Sequence, residues 1–254
     1  MTGFGVLLRK ELLEQWLTMR LVIVVGLYLA FGILSPIFAR YLPEIIGALV
    51  PPDQLPIALP TPTVVDAVSQ FVKNVGSTLT LVAILLAMGL VASEKERGTA
   101  AFILTKPAGR AAFLAAKFGA VGLTLGIAMA VSGAAAYGYT ALLFEAPPLG
   151  GFVAMCALLW LGQLVIASFT LLGSALVRSV APAAGIGFAA FIGLSIVSAL
   201  PTLGPYTPPG LLGPATALAA GTDPGNVLGP VAVNAALAVG AVVFAWLSFR
   251  RQEL

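Results

Sequence analysis

The sequence predicts an all-α, polytopic membrane protein with six transmembrane helices. Three observations predict it. Hydrophobic residues make up 59% of the 254-residue chain and charged residues only 9%, against roughly 25% charged in an ordinary soluble domain. So little charge cannot cover a water-facing surface. The apolar residues fall in long charge-free runs, and a bilayer core of about 30 Å needs about 20 helical residues. The 13 basic residues are spread unevenly among the segments between those runs.

Taken in order, the chain begins with FGVLLRKELLEQWLTM at residues 4–19. Phe4, Leu7, Leu8, Leu12 and Trp16 fall near one helical face, and Arg9, Lys10, Glu11, Glu14 and Gln15 fall largely away from it. This predicts an amphipathic helix lying in the inner interface with Trp16 at headgroup depth. The charge-free runs then place spans at about 21–39, 74–93, 118–144, 151–177, 179–200 and 227–249. Arg40-Tyr41 follows the first run without a small-x-small cleavage site, so that run reads as an uncleaved span and not as a signal peptide. In the loop after it, Pro43, Pro51, Pro52, Pro56, Pro60 and Pro62 argue against one continuous helix over 42–63. Val64, Val65, Val68, Phe71, Val72 and Val75 then repeat at helical spacing, predicting a short amphipathic helix that leads into the second span. Residues 201–226 carry one charge, Asp223, and six prolines. They are too apolar for a solvated loop and too broken for a span. A re-entrant or interface-lying pair of short helices fits, and so does a cap packed on the outer helix ends. The whole chain reads as one transmembrane domain.

Six spans put both termini on one side. With the N-terminus inside, the inner segments hold 11 of the 13 basic residues, and only Arg40 and Lys73 lie outside. Acidic residues split evenly: Glu11, Glu14, Glu94, Glu96 and Glu253 inside, Glu44, Asp53, Asp66, Glu145 and Asp223 outside. A basic bias without an acidic one is the form of the positive-inside rule. Both termini are therefore expected in the cytoplasm.

Composition also excludes chemistry. The chain has no histidine, hence no imidazole base and no His-bound metal, and its single cysteine, Cys156, can form no internal disulfide. A P-loop needs a lysine after glycine, but Lys10, Lys73, Lys95, Lys106 and Lys117 follow Arg, Val, Glu, Thr and Ala. No catalytic, cofactor or metal residues are expected. A proton- or ion-coupled carrier normally needs ionisable groups inside the membrane, and all charged residues lie outside or at the edges of the six runs. The polar residues within them, such as Gln163, Asn234, Ser132, Ser168, Thr170 and Ser195, read as interhelical hydrogen-bonding groups. Small-x-x-x-small spacings at Gly122/Gly126, Ala181/Gly185 and Ala236/Gly240 permit close helix approach.

The most informative segment is the inner loop 94–117. Glu94, Lys95, Glu96 and Arg97 end the second helix in water, Gly98 permits a sharp turn, and Thr99 is a candidate N-cap. A short helix would expose Phe102, Ile103 and Leu104, Lys106-Pro107 would stop it, and Gly109-Arg110 would start the third helix. An apolar tip held in water between charges of both signs reads as a protein contact, the alternative being that Phe102–Leu104 dip into the headgroups.

Glu-x-Glu-x-Gly-Thr, an apolar turn and Lys-Pro-x-x-Arg together resemble the inner loop of type-2 ABC exporter permeases. The nearest subgroup looks like the permeases of the copper-cluster nitrous oxide reductase maturation system and related multidrug or bacteriocin-immunity permeases. The resemblance covers nearly the whole chain. It implies that this loop is a coupling helix docking on a separate cytosolic ATPase, with two permease chains (a homodimer) and two ATPase chains in the working unit. ATP and Mg would belong to that partner. Glu94, Glu96, Arg97, Gly98, Thr99, Phe102, Leu104, Lys106, Pro107 and Arg110 would form the ATPase interface, with Glu11 and Glu14 of the N-terminal helix beside them. Membrane lipid and an outer-face or periplasmic protein are further expected partners, and nucleic acid is not. The expected location is a bacterial or archaeal cytoplasmic membrane. An ATP-independent carrier or channel, or a membrane scaffold, is the alternative.

Overall fold

The computed structural model describes residues 3–49, 61–98 and 109–252. Most of them are helical, and no strand occurs among the described residues. In chain order the helices are α1 (Gly3–Leu17), α2 (Arg20–Leu49), α3 (Val64–Gly76), α4 (Thr78–Ala87), α5 (Ala92–Glu96), α6 (Arg110–Leu143), α7 (Leu149–Leu176), α8 (Val180–Ser198), α9 (Leu212–Ala219) and α10 (Leu228–Arg250). Two 3-10 turns, Gly204–Tyr206 and Pro209–Leu211, precede α9. Six helical stretches are long and apolar enough to cross a membrane: Arg20–Ala48, Val64–Glu96, Arg110–Leu143, Leu149–Leu176, Val180–Ser198 and Leu228–Arg250.

The spans fall where the charge-free runs place them, but three details differ. First, α2 continues past Ala39 to Leu49 with Pro36 and Pro43 inside it. Each proline removes one intrahelical donor, a loss that a packed transmembrane helix tolerates. Second, the second span is not one rod. α3 stops at Gly76, and Ser77 (φ −112°, ψ −78°) turns the chain into α4. The backbone carbonyls disturbed there are met by side chains: the Thr80 hydroxyl donates to Val75 O (3.0 Å) and Gly76 O (3.1 Å), and Gln163 Nε2 donates to Val75 O (3.5 Å). A second break at residues 88–91 separates α4 from α5, and there Ser174 Oγ accepts from the N–H groups of both Val91 (3.0 Å) and Ala92 (2.9 Å). Polar side chains thus satisfy backbone that lacks helical partners in the interior.

Third, α1 buries two residues that its sequence pattern places on the polar side. Its buried residues are Glu11 and Gln15, whereas Phe4, Val6, Leu13, Trp16 and Leu17 are exposed. α1 packs on α6, where Lys117 and the Thr124 hydroxyl meet Glu11 and Gln15. This polar seam is flanked by the partly buried Leu7, Leu8 and Leu12, with Leu8 and Phe4 beside Gly119 of α6.

The amphipathic helix expected ahead of the second span is α3. It is capped by Asp66, whose Oδ2 accepts from the Thr63 N–H (2.8 Å) and hydroxyl (2.7 Å), and it buries Val68, Phe71, Val72 and Val75. Residues 201–226 form the two 3-10 turns and α9, which packs on α7 and α3. The fit is close: a Cβ added at Gly151 of α7 would lie 1.9 Å from Leu218 O, and one at Gly76 would lie 2.7 Å from the Leu212 side chain.

Half of the interior polar groups named from the sequence, Gln163, Ser132 and Asn234, join separate elements as expected. Ser132 Oγ donates to Tyr28 O (2.7 Å), Asn74 Nδ2 to Ser35 Oγ (2.9 Å), and Asn234 Nδ2 to Tyr206 O (3.1 Å). Ser168, Thr170 and Ser195 instead bond back to carbonyls of their own helices. The Gly122/Gly126 pair serves an intrachain contact. Trp160 of α7 lies against Gly126 and donates its Nε1 hydrogen to Gly122 O (3.0 Å).

Candidate functional site

At one end of the bundle α1, α5, the start of α6 and the ends of α7 and α10 converge, and most of the charge among the described residues gathers there. The centre is Lys117. It lies two turns into α6 and is 3% exposed. Its Nζ lies 3.1 Å from Glu11 Oε1, 3.2 Å from Glu11 Oε2 and 2.8 Å from Glu94 Oε1. A lysine without such partners would be costly in that position. With them it ties α1, α5 and α6 into one charged knot. Lys10 adds a half-exposed outer layer, 3.1 Å from Glu11, 3.3 Å from Glu14 and 3.8 Å from Glu94. Partial burial pulls the Lys10 pKa down, but the surrounding carboxylates outweigh it and the net shift is upward.

A second knot adjoins the first. Lys95 Nζ donates to Gln252 Oε1 (2.6 Å) and to the carbonyl of Ala175 at the end of α7. Gln252 Nε2 donates to the same carbonyl at 3.0 Å. Arg110 Nη1 donates to the carbonyls of Phe249 (3.1 Å), Arg250 (2.7 Å) and Gln252 (3.1 Å). Those are orphan acceptors at the C-terminus of α10, and a cation is the natural cap there. The buried ring of Phe249 stacks on Phe113 at 5.8 Å and lies 5.4 Å from Lys95 Nζ and 5.9 Å from Arg110 Cζ.

These contacts hold both stems of the inner loop. On one side α5 ends at Glu96, and Gly98 adopts φ +69°, which suits glycine. On the other, Gly109 caps α6 and Arg110 begins it. Of the residues assigned to an ATPase interface by resemblance, Glu96, Arg97, Gly98 and Glu14 are exposed, and Arg110 is partly so. Glu11 and Glu94 aim carboxylate oxygens inward at Lys117. Thr99, Phe102, Leu104, Lys106 and Pro107 lie outside the described residues. Sequence reasoning placed Lys117 at a span edge and missed its role. The signal available was the coincidence of an acid in α1, an acid in α5 and a lysine in α6, all on the side where charges gather.

No group of three or more His, Cys, Asp or Glu residues among the described residues could hold a metal ion.

Six membrane-crossing helices with charge concentrated at one end define a multi-pass protein of the cell membrane. The profile of the ABC-2 family transporter proteins matches residues 78–208, from α4 through both loop stems and α6–α8. The chain is also 32% identical over 200 residues to the "Uncharacterized transmembrane protein YxlG" of Bacillus subtilis (strain 168), a match covering 75% of each chain. The chain belongs to the ABC-2 family of transporter proteins. Permeases of this family in general work with a separate ATPase subunit. Membership holds at the level of the family, and the nearer likeness to copper-cluster maturation permeases stays a resemblance.

Proposed function

We propose that this chain is the transmembrane permease subunit of an ATP-driven exporter. It passes the work of a separate cytosolic ATPase, which alone binds ATP and Mg, into export or mechanical work across the membrane. It is not itself an enzyme, and two copies pair with two ATPase chains. The supporting observation is the clamping of both loop stems. Lys95 and Arg110 attach the stems to the ends of α7 and α10, and Glu94 and Lys117 attach them to α1. A push on residues 99–108 would therefore reach four spans and the N-terminal helix together. The second span, which receives that push first, is already divided at Ser77 and at residues 88–91.

The test is reconstitution of the permease with a candidate cytosolic ABC ATPase subunit from the same organism. Leu104→Ala and Arg110→Gln should leave insertion intact, weaken ATPase association and lower transport per ATP hydrolysed. Normal association and coupling in both variants would remove the loop from the mechanism. A purified permease fully active without any ATPase would overturn the reading altogether.

A further inference from the structure

Beside the Lys117 knot lies a polar cavity of about 270 Å³ between α1, α2, α5 and α6. Four cations line it: Lys10, Arg20, Arg97 and Lys117. Three carboxylates, those of Glu11, Glu14 and Glu94, also line it. The pairings are unequal. Lys117 and Lys10 are engaged by the carboxylates. Arg20 and Arg97 are exposed, and neither has an ion-pair or hydrogen-bond partner among the described residues. Four cations against three carboxylates leave the cavity wall with one net positive charge, and the two cations without a partner among the described residues are guanidiniums.

We propose that this cavity binds the phosphodiester of a membrane phospholipid, held by Arg20 and Arg97. The proposal stands independently of the transport reading. Guanidinium is the side chain best matched to phosphate oxygens, through paired N–H donors. A phosphodiester carries one negative charge and neutralises the wall. The position favours a lipid over a free anion. Arg20 is the first residue of the α2 span, at the level where headgroups lie. Within four residues of it Trp16, Leu17, Met19 and Ile23 are 58%, 78%, 57% and 66% exposed. That apolar corner gives acyl chains a path away from the cavity. Met19 holds the corner with φ +59°, joining α1 to α2. The volume is close to the lower end of ligand pockets, roughly 300 Å³, which suits a headgroup and not a whole lipid.

The experiment is native mass spectrometry of the delipidated full chain titrated with phosphatidylglycerol, diacylglycerol and glycerol 3-phosphate. The wild type should take up one phosphatidylglycerol per chain. Arg20→Gln/Arg97→Gln should bind it about tenfold more weakly or worse, with unchanged elution and melting. Arg20→Lys alone should give an intermediate loss, which keeps the test open if the double variant misfolds. Equal binding by the double variant would overturn the proposal. Equal binding of diacylglycerol would reduce the site to apolar contact. Equal binding of glycerol 3-phosphate would make the occupant a soluble phosphate ester and remove the lipid.

Discussion

The ammonium of Lys117 lies 3.1 Å from the carboxylate of Glu11, a residue 106 positions earlier, in a setting where their side chains are 4% and 8% exposed. Together with Glu94 the pair fixes the N-terminal helix and the loop stem to α6. Removing the cation would take the buried counter-ion away from Glu11 and Glu94, with Lys10 remaining only at the exposed rim. Lys117→Met should destabilise the protein by about 3–5 kcal/mol, read by denaturant unfolding in detergent. The triple change Glu11→Gln/Glu94→Gln/Lys117→Met should recover most of that loss, since uncharged groups of similar volume need no counter-ion. If Lys117→Met unfolds like the wild type, the knot contributes nothing to the fold.

Ser174 offers a second, more local test. Its hydroxyl oxygen accepts from two buried N–H groups, Val91 and Ala92, at the break between α4 and α5. Ser174→Ala leaves both donors without a partner and should cost about 1–3 kcal/mol. Hydrogen exchange should quicken at residues 91 and 92 before it does elsewhere. Ser168→Ala is the control. That serine is equally buried but bonds only to Val165 O in its own helix, so its loss should move stability by less than about 0.5 kcal/mol.

Glycine positions separate packing from mere composition. A methyl group at Gly151 would lie 1.9 Å from the Leu218 carbonyl oxygen, a backbone atom that can move only if α9 moves. Gly151→Ala should cost about 1–3 kcal/mol. The neighbouring Gly150 has nothing within 4 Å. Gly150→Ala should be neutral or stabilise by up to about 1 kcal/mol through the unfolded chain. Melting temperatures of the two variants that move together would deny that α9 is seated on α7.

The six spans were legible because each depends on a single property, the length of a charge-free run, and bilayer thickness sets that length for every helix alike. The α3 helix was legible for a similar reason: Val68, Phe71, Val72 and Val75 share one face whatever packs on it. What escaped depends on a partner. Glu11 and Gln15 look solvent-facing when α1 is considered alone, and only the approach of Lys117 and Thr124 makes them an interior face. The break at Ser77 follows Gly76 and the one at residues 88–91 contains Gly89, but neither glycine takes a positive φ, and α6 carries several glycines without any break. The warrant for both breaks is the compensating donors and acceptors of Thr80, Gln163 and Ser174 on the same and other helices. Pro43 lies inside α2, which runs on to Leu49, so this proline did not mark the helix end, although residues 61–63 are non-helical and residues 42–63 are not one continuous helix.

The unequal distribution of basic residues leads to a final prediction, on sidedness. Glu96 and Asp223 are both exposed and sit at opposite ends of α10. Asp223 precedes its first residue, Leu228, whereas Glu96 adjoins Lys95, which bonds to Gln252 just beyond its last. The 23 residues between put about 35 Å of helix between those ends. The native thiol must first be removed as Cys156→Ala, a side chain that packs against Gly133. In that background, Asp223→Cys should react with a membrane-impermeant maleimide on intact cells, and Glu96→Cys should react only after permeabilisation. With 11 of 13 basic residues on the Glu96 side, the opposite labelling would mean that the positive-inside rule fails for this protein, and the exposed loop stem would then face away from any cytosolic ATPase.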